Sequence, residues 1–336
     1  MKITRRGLIG AASAALAATA LSRPSSAAAE FEFKLGVNTP ETHPLTVRLT
    51  EAAHAIGAQS SGRLNVTVFP NSQLGGDPEM LSQVRAGGIE LLAAPSMTLS
   101  TLVPLSGLPS VGFAFGSYDQ VWAAMDGGVG EVVRDAIGRA GIVPMKKMWD
   151  NGFRQITSST HPIKGPADLK GFKIRVPVSP LWTSMFQALG ASPISINFSE
   201  VYSALQTRIA EGQENPLSLI EIAKLYEVQK YVSMTSHMWD GFWMLANKRG
   251  FSALPPDAQV IVARELNKSA LEERADIATL NGSVAEDLKS KGLTFVEVDK
   301  PTFREALKTA GFYADWKKKY GDEAWGILES EVGVLS

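Results

Sequence analysis

Three side chains in this sequence have the types and positions suited to binding a small anion. Arg175 ends a short strand-like run just before Pro177, Arg154 lies in a second strand-like run, and Asn215 lies just past a predicted helix. A guanidinium binds a carboxylate through two parallel hydrogen bonds, and an amide can donate to a carboxylate while accepting from a hydroxyl. No nucleophile or metal cluster accompanies them, so we predict binding rather than catalysis.

Each of these three residues also has a purely structural interpretation. Arg175 could pair with an acidic residue of its own domain, Arg154 could form an ion pair between domains, and the Asn-Pro step at Asn215 is typical of a turn. Because Pro177 cannot continue the strand, we expect the Arg175 guanidinium to point into a crevice at the strand end. We therefore predict that Arg175 binds the carboxylate.

A second group of residues is suited to holding the rest of a ligand. Trp239 lies in the aromatic run 239–243, and an indole face can stack on a sugar ring or an aromatic ring. His43, in the first strand-to-helix loop, and Asp77, after two glycines, are predicted polar contacts from the first domain. His237 is either a further polar contact or a hydrogen-bonded structural group, and Phe242 is expected in the core.

The sequence lacks the motifs of common catalytic and cofactor-binding sites. It has no H-E-x-x-H, no G-x-S-x-G, no P-loop and no G-x-G-x-x-G after a strand. The four histidines, at 43, 54, 161 and 237, show no metal-ligand spacing. We therefore expect no catalytic residue, no metal and no cofactor. For the alternative of a sugar-acid enzyme, Asp77 with His237 is the one acid–base pair that we can propose.

Residues 1–29 have the pattern of a removable export signal. Arg5 and Arg6 form a positive start, Gly7–Leu21 is apolar and rich in alanine, and Ala27–Ala29 offers a cleavage site. The apolar run is shorter than the ~20 residues that span a bilayer. The arginine pair and the mild apolar run favour the twin-arginine route. We predict an exported protein, located in the periplasm.

Charge and cysteine content exclude several classes of partner. Without residues 1–29 the chain holds 29 Lys and Arg against 34 Asp and Glu, a formal charge near −5. No basic run is present, so we expect neither nucleic acid nor an anionic membrane surface as a partner. The chain has no cysteine, which excludes disulfides, thiolate catalysis and a lipid-modified cysteine anchor.

Alternating strand and helix patterns predict an α/β fold. Phe31–Val37, Leu64–Phe69 and Ile89–Ala93 have the patterns of strands, and the amphipathic segments Leu45–Ser60 and Pro78–Ala86 separate them. This order is typical of a doubly wound parallel sheet with right-handed crossovers. Open sheets of this type bind ligands beyond the carboxyl ends of their strands.

The second half of the chain repeats this alternation and predicts a second α/β domain with its own sheet. Two strands, Val143–Trp149 and Phe153–Ser158, are separated by a predicted turn at 150–152, and Met238–Asn247 carries the chain back to the first domain. We predict a hinged, two-domain fold of the type II periplasmic-binding-protein class with a ligand cleft. The predicted domains are 30–152 plus about 241–280, and 153–240 plus about 281–336.

The chain resembles the periplasmic solute receptors of TRAP (tripartite ATP-independent periplasmic) transporters, the DctP-like family. The resemblance covers essentially the whole mature chain and is specific only because several motifs occur together. It is carried by Asn71-Ser-Gln-Leu-Gly75, Asn151-Gly-Phe-Arg154, Asp168-Leu-Lys-Gly-Phe-Lys-Ile-Arg-Val-Pro177, Glu200-Val-Tyr-Ser-Ala-Leu-Gln206 and Gly212-Gln-Glu-Asn-Pro216.

The resemblance implies two α/β domains, a long helix that crosses between them, and closure on an organic acid. It implies that Arg175 binds the carboxylate, that Arg154 and Asn215 complete the site, and that the partners are the small and large membrane permease subunits. Family members bind C4-dicarboxylates, sugar acids, keto acids and aromatic acids. Trp239 with its polar neighbours favours a hexuronate such as galacturonate or glucuronate.

Several alternatives remain open at the level of the sequence. An aromatic monocarboxylate would use the same arginine and the same indole, and a dicarboxylate would need Arg154 as its second cation. A subunit that reports ligand binding to a membrane sensor requires the same closure, so the sequence does not distinguish it from a transport receptor.

Overall fold

The computed structural model describes residues 29–335, so the predicted signal peptide, apart from Ala29, lies outside the described residues. The strands are β1 Phe31–Gly36, β2 Leu64–Phe69, β3 Leu91–Pro95, β4 Ile142–Pro144, β5 Trp149–Ser158, β6 Lys173–Val176, β7 Ser192–Ser195, β8 Gly212–Pro216, β9 Tyr231–Asn247 and β10 Thr294–Val296. The helices are α1 Pro44–Gln59, α2 Asp77–Ala86, α3 Ser96–Leu99, α4 Tyr118–Asp126, α5 Gly128–Arg139, α6 Pro180–Ala188, α7 Val201–Gln206, α8 Leu217–Ile222, α9 Lys248–Ala253, α10 Pro256–Asn281, α11 Val284–Ser290, α12 Lys300–Thr309, α13 Phe312–Tyr320 and α14 Asp322–Val332. This is the predicted α/β class.

The strands form one continuous sheet in the order β2-β1-β3-β9-β5-β8-β6-β7, with β4 and β10 paired to β9. Strands β1, β2 and β3 are mutually parallel in the first half, and β6 runs parallel to β7 and β8 in the second. The prediction that the second half has its own sheet is therefore wrong. The two parallel groups are joined through the antiparallel strands β5 and β9.

Strands β5 and β9 are long enough to belong to both halves. The C-terminal part of β9 pairs with β3, and its N-terminal part pairs with β10 and the end of β5. The predicted turn at 150–152 is wrong because β5 continues through these residues. A register shift between Asp150 and Gly152 accommodates the sequence, and Gly152 adopts a φ of +114°. Glycine reaches this conformation without a Cβ clash, so a turn-like sequence becomes a bulge.

Side-chain alternation along the central strands divides the core between the two faces of the sheet. In β3, Leu91 and Ala93 pack in a cluster with residues of α1 and α10, whereas Leu92 and Ala94 pack in another cluster with residues of α2, α4, α5, α6 and α12–α14. Alternate residues of a strand point to opposite faces, so both faces are covered by helices. A third, smaller cluster lies in the second half around Val201, Val232 and Leu288.

Helix α10 connects the two halves on one face of the sheet. It packs against α1 of the first half, against β5, and against α8 of the second half. Its Glu273 accepts a hydrogen bond from the backbone N–H of Asp150 at 2.9 Å, and its Arg274 contacts the carbonyl of Met148 and the carboxylate of Asp126. The long domain-crossing helix that the resemblance implies is thus present, and it ends at Asn281. No helix among residues 29–335 has both the length and the apolar character that crossing a membrane requires.

Gly241 lies in the part of β9 that crosses between the halves, where packing leaves no room for a side chain. A Cβ at this position would lie 2.7 Å from the carbonyl oxygen of Trp149 and 2.7 Å from the ring of Trp239. We expect Gly241→Ala to lower the free energy of unfolding by about 1–3 kcal/mol through overpacking. Gly138→Ala in α5, where no atom lies within 4 Å, is the control and should raise it by about 0.5–1 kcal/mol. Urea unfolding measures the change in the free energy of unfolding for both variants. Equal changes would contradict the tight packing around Gly241.

Candidate functional site

A small enclosed cavity lies where the two halves of the sheet meet. Its space outside protein atoms is about 300 Å³, counted together with the open solvent at its mouth. It lies beyond the carboxyl ends of β1, β3 and β6, as open α/β sheets predict. Its walls are Asn38, Asp77, Pro95, Met97, Thr98, Asn151, Arg154, Arg175, Pro177, Phe198, Asn215, Leu219 and Phe242.

Arg175 is the cation of this cavity that has no counter-ion. Its Nε and Nη2 donate to the carbonyl oxygen of Ile196 at 2.8 and 2.5 Å, which fixes the plane of the guanidinium. Its Nη1 is buried and has no hydrogen-bond partner. Burial lowers the pKa of Arg175 to about 9, although the charges of Glu214 and Asp77 oppose this. An arginine held in this way favours an anion at its free edge.

Arg154 lines the same cavity, but it already has an acidic partner. Its Nε and Nη2 donate to the Glu214 carboxylate at 2.5 and 2.8 Å, and both side chains are buried. Burial favours the neutral acid, yet the charge and hydrogen bonds of Arg154 outweigh it and hold the pKa of Glu214 below its ordinary value. The pair contributes no net charge to the cavity. Both residues lie in the predicted domain 153–240, so this is an ion pair within one predicted domain and not the pair between domains that the sequence suggested.

Asn215 belongs to β8 and not to a turn. Its Oδ1 accepts from Nη2 of Arg154 at 3.0 Å, and its Nδ2 donates to the side chain of Gln213. Asn215 therefore lies between the Arg154–Glu214 pair and the cavity that it lines.

Three other residues of the cavity wall carry buried side-chain oxygen atoms without hydrogen-bond partners. Asn38 donates through Nδ2 to Asp77 at 3.0 Å, and Asn151 donates through Nδ2 to Asp240 at 3.1 Å. Because a carboxylate accepts these bonds, each amide presents its Oδ1 elsewhere, and both Oδ1 atoms are buried without a partner. The buried hydroxyl of Thr98 also has no partner. Such groups are costly unless a ligand or water completes their hydrogen bonds.

Asp77 is the carboxylate of the cavity, at the first position of α2. It is half-buried, and the surrounding protein raises the pKa of Asp77 to about 6. The hydrogen bond from Asn38 and the charge of Arg175 act in the opposite direction and are weaker than this burial. Asp77 thus lies on the wall as the sequence predicts.

Three of the predicted site residues lie outside the cavity wall. Trp239 is buried in the core, donates from Nε1 to Asp150 at 2.9 Å and packs edge-to-face against Trp122. His43 caps α1 by accepting from the N–H of Leu45 at 3.2 Å, and burial lowers the pKa of His43 to about 3.

His237 is the third residue and lies behind Glu214. Its Nε2 is 3.2 Å from the Glu214 carboxylate, and its Nδ1 is 2.8 Å from the hydroxyl of Thr235. Burial lowers the pKa of His237 despite the opposing effect of Glu214, so the imidazole is neutral at pH 7. The structure does not bring His237 and Asp77 together at the cavity, as an acid–base pair would require.

Sequence analysis missed several wall residues. Asn38 lies two residues after the end of β1, and its position past a strand end was a usable signal. Asn151 was hidden by the apparent turn at 150–152. Phe242 was expected only in the core, yet it belongs both to the core and, with Phe198, to the wall of the cavity.

A larger and more open cleft lies elsewhere on the protein. It contains about 1360 Å³ and is lined by aromatic and basic residues that include Phe113, Phe153, Lys300 and Arg304. Arg304 donates to the backbone carbonyl of Val334 at 2.7 Å. None of the unpartnered buried polar atoms of residues 29–335 lies on its wall. The small cavity is therefore the better candidate for specific binding.

Comparison with known proteins agrees with this geometry. The model of the DctP family, described as "Bacterial extracellular solute-binding protein, family 7", matches residues 35–318. The chain belongs to this family. The resemblance to TRAP receptors is thereby confirmed, and the family is a solute-binding family rather than an enzyme family.

Relatives and solved structures are similar over most of their length. The 2,3-diketo-L-gulonate-binding periplasmic protein of Escherichia coli is 31% identical, over 84% of this chain and 86% of that protein. A TRAP solute-binding protein of Roseobacter denitrificans with bound L-galactonate is 31% identical (TM-score 0.84; 91% and 99% of the chains). One from Sulfurospirillum deleyianum with bound succinate is 27% identical (TM-score 0.85; 90% and 99%). The chain spans only 56% of a longer Sinorhizobium fredii protein, to which it is 32% identical.

The Arg154–Glu214 pair makes a testable contribution to stability. In Glu214→Gln the buried guanidinium keeps its charge and loses its counter-ion, so we expect the free energy of unfolding to fall by about 3–5 kcal/mol. The same substitution at Glu272, which forms long, solvent-exposed contacts with Lys268 and Arg48, should have little effect. Urea unfolding of both variants measures the difference, and similar small changes in the two would show that the buried pair is not needed.

Proposed function

We propose that the chain is the periplasmic receptor of a TRAP transporter and binds a small organic acid through Arg175. The observation that carries this proposal is the buried Nη1 of Arg175, which lacks a partner on the wall of an enclosed cavity. A ligand carboxylate would accept from Nη1 and supply the missing counter-charge. Arg154 and Asn215 would complete this end of the site, since Arg154 holds Asn215 in place.

The unpaired acceptors favour a ligand that carries several hydroxyl groups. Asn38 and Asn151 each present an amide oxygen, and Asp77 presents a carboxylate, so these three groups call for donors on the ligand. A six-carbon sugar acid provides one carboxylate and several hydroxyls. One relative is a 2,3-diketo-L-gulonate-binding protein and one similar structure contains L-galactonate, and both ligands are acids of this kind. We propose a hexuronate such as galacturonate or glucuronate as the first ligand to test.

The position of Trp239 removes the stacking surface that the sequence suggested for an aromatic ring or for a sugar ring. The indole packs in the core and donates to Asp150, so the stacking predicted for it has no surface at the cavity. Phe198 and Phe242 provide the apolar wall and can pack against the carbon face of a sugar acid. For a dicarboxylate, the second cation that the sequence suggested is Arg154, which is already neutralised by Glu214.

Transport follows from closure of the two domains around the acid. The cavity is lined from both predicted domains, so a ligand that contacts both walls favours the closed state by its differential affinity. The closed receptor would then dock on the membrane subunits, where an ion gradient drives uptake. Export by the predicted signal peptide would place the receptor in the periplasm.

The carboxylate assignment is tested by substitution of Arg175. We expect Arg175→Ala to weaken galacturonate or glucuronate binding at least 30-fold, because loss of one partner of a buried charge pair costs ~2–5 kcal/mol. Lys173→Ala is the matched control: Lys173 lies two residues earlier on the same strand and is exposed. Titration calorimetry measures both affinities. Unchanged affinity in a folded Arg175→Ala protein would rule out this assignment.

Closure itself is tested at Gly76, which faces the opposite domain. A Cβ on Gly76 would lie 2.6 Å from Oε2 of Glu79 in α2, and 2.8 Å from Nδ2 and 3.0 Å from Cγ of Asn197. We expect Gly76→Val to weaken ligand binding about tenfold, because its side chain obstructs the approach of Asn197 in the closed state. The side chain of Glu79 is exposed and can move aside in either state. Adding Asn197→Ala should restore the affinity, and Asn197→Ala alone is the control. Calorimetry that finds no loss, or a loss without rescue, would contradict this closure.

A further inference from the structure

Only one of the three charged side chains on the described cavity wall forms a salt bridge. Arg154, Arg175 and Asp77 are the charged wall residues, and Arg154 is neutralised by Glu214. This leaves one free guanidinium and one free carboxylate. Arg175 acts on Asp77 through its charge, because both of its described side-chain hydrogen bonds go to the carbonyl oxygen of Ile196.

Asp77 is held so that it faces the cavity as an acceptor. One oxygen, Oδ2, accepts from Nδ2 of Asn38 at 3.0 Å. The Oδ1 of Asn38, which has no partner, lies on the same wall. Two acceptor groups are therefore adjacent, and among the described wall residues the free cation is Arg175. A ligand hydroxyl can donate to either acceptor, whereas a carboxylate cannot donate to them.

We propose that Asp77 restricts the cavity to acids with a single carboxylate, by accepting from hydroxyls and repelling a second carboxylate. This inference rests on the proposed function, since it assumes that Arg175 binds the first carboxylate. A second carboxylate near the half-buried Asp77 would place two like charges side by side without a free counter-ion, which is unfavourable in a partly desolvated site. A terminal hydroxyl in the same place would instead complete the hydrogen bonds of the wall.

The protonation state of Asp77 makes the proposed preference for a monocarboxylic acid depend on pH. The charged groups that act on it are Arg175, which favours its ionised form, and Glu79, which opposes it, and burial raises the pKa of Asp77 to about 6. The Arg154–Glu214 pair on the opposite wall contributes no net charge. Above pH 6 the carboxylate repels a second ligand carboxylate. Below pH 6 the protonated acid can donate to it, so rejection of a dicarboxylate should weaken as the pH falls.

Galactonate and galactarate provide the matched test, because they differ only at one end, where a CH2OH group is replaced by a carboxylate. At pH 7.5 and constant salt, we expect the native protein to bind galactonate at least 100-fold more tightly than galactarate. In Asp77→Asn, which keeps the shape and the contact with Asn38, the two affinities should differ less than tenfold. At pH 5 the ratio of galactonate affinity to galactarate affinity should be smaller than at pH 7.5 for the native protein. For Asp77→Asn the same ratio should not change with pH. Titration calorimetry measures each affinity, and circular dichroism checks the fold.

The possible outcomes separate this inference from the proposed function. Galactarate binding as tightly as galactonate to the native protein would overturn the role of Asp77 and leave the Arg175 receptor standing. A preference for galactonate that persists unchanged in Asp77→Asn would do the same. If neither acid binds, the four-carbon pair threonate and tartrate is compared in the same way. Failure of all four acids to bind would overturn both the sugar-acid receptor and the inference.

Discussion

The buried ion pair between Arg154 and Glu214 determines the charge of the whole site. It joins β5 to β8 at the point where the two halves of the sheet meet, and it also holds His237 and Asn215. A buried arginine without this glutamate would attract a second anion. Because Glu214 neutralises Arg154, Arg175 is left as the free cation of the described wall, and every argument about the ligand depends on that difference.

The two long strands explain how one sheet can support a cleft. Strands β5 and β9 carry hydrogen bonds from one half to the other, so the halves share a backbone connection rather than only a packed interface. Glycines at 152 and 241 lie in these strands where a bulge or close packing leaves no place for a side chain. The bulge turns Asn151 toward the cavity while Asp240 fixes its amide. The connection between halves and the wall of the site are therefore built from the same residues.

The sequence predicts the strands, most helices and the charged ends of the site, because those signals are local. A strand that ends at Pro177 shows where Arg175 lies, and two glycines before α2 indicate Asp77. When helices cover both faces of a sheet, the sequence does not show which face an aromatic residue of a strand occupies. For this reason the sequence places Trp239 at the cavity and Phe242 only in the core. His43 was misplaced because a helix cap and a ligand contact use the same polar residue in the same loop. Pairing of Arg154 with Glu214 depends on the register between β5 and β8, which no local pattern specifies.

The unpaired polar groups give closure a thermodynamic direction. A buried polar group without a hydrogen bond costs about 1–3 kcal/mol. In the enclosed form described here, Arg175, Asn38, Thr98 and Asn151 each have such a group on the cavity wall. An empty closed state is therefore disfavoured relative to an open one, in which water reaches the same groups. Under the proposed function, a polyhydroxy acid would complete these hydrogen bonds only when both walls surround it, so its differential affinity would arise from the polar groups that the fold leaves unpaired. The proposed selectivity and the proposed closure would then have one physical origin, because an acid that leaves the wall groups unpaired would not stabilise the closed state.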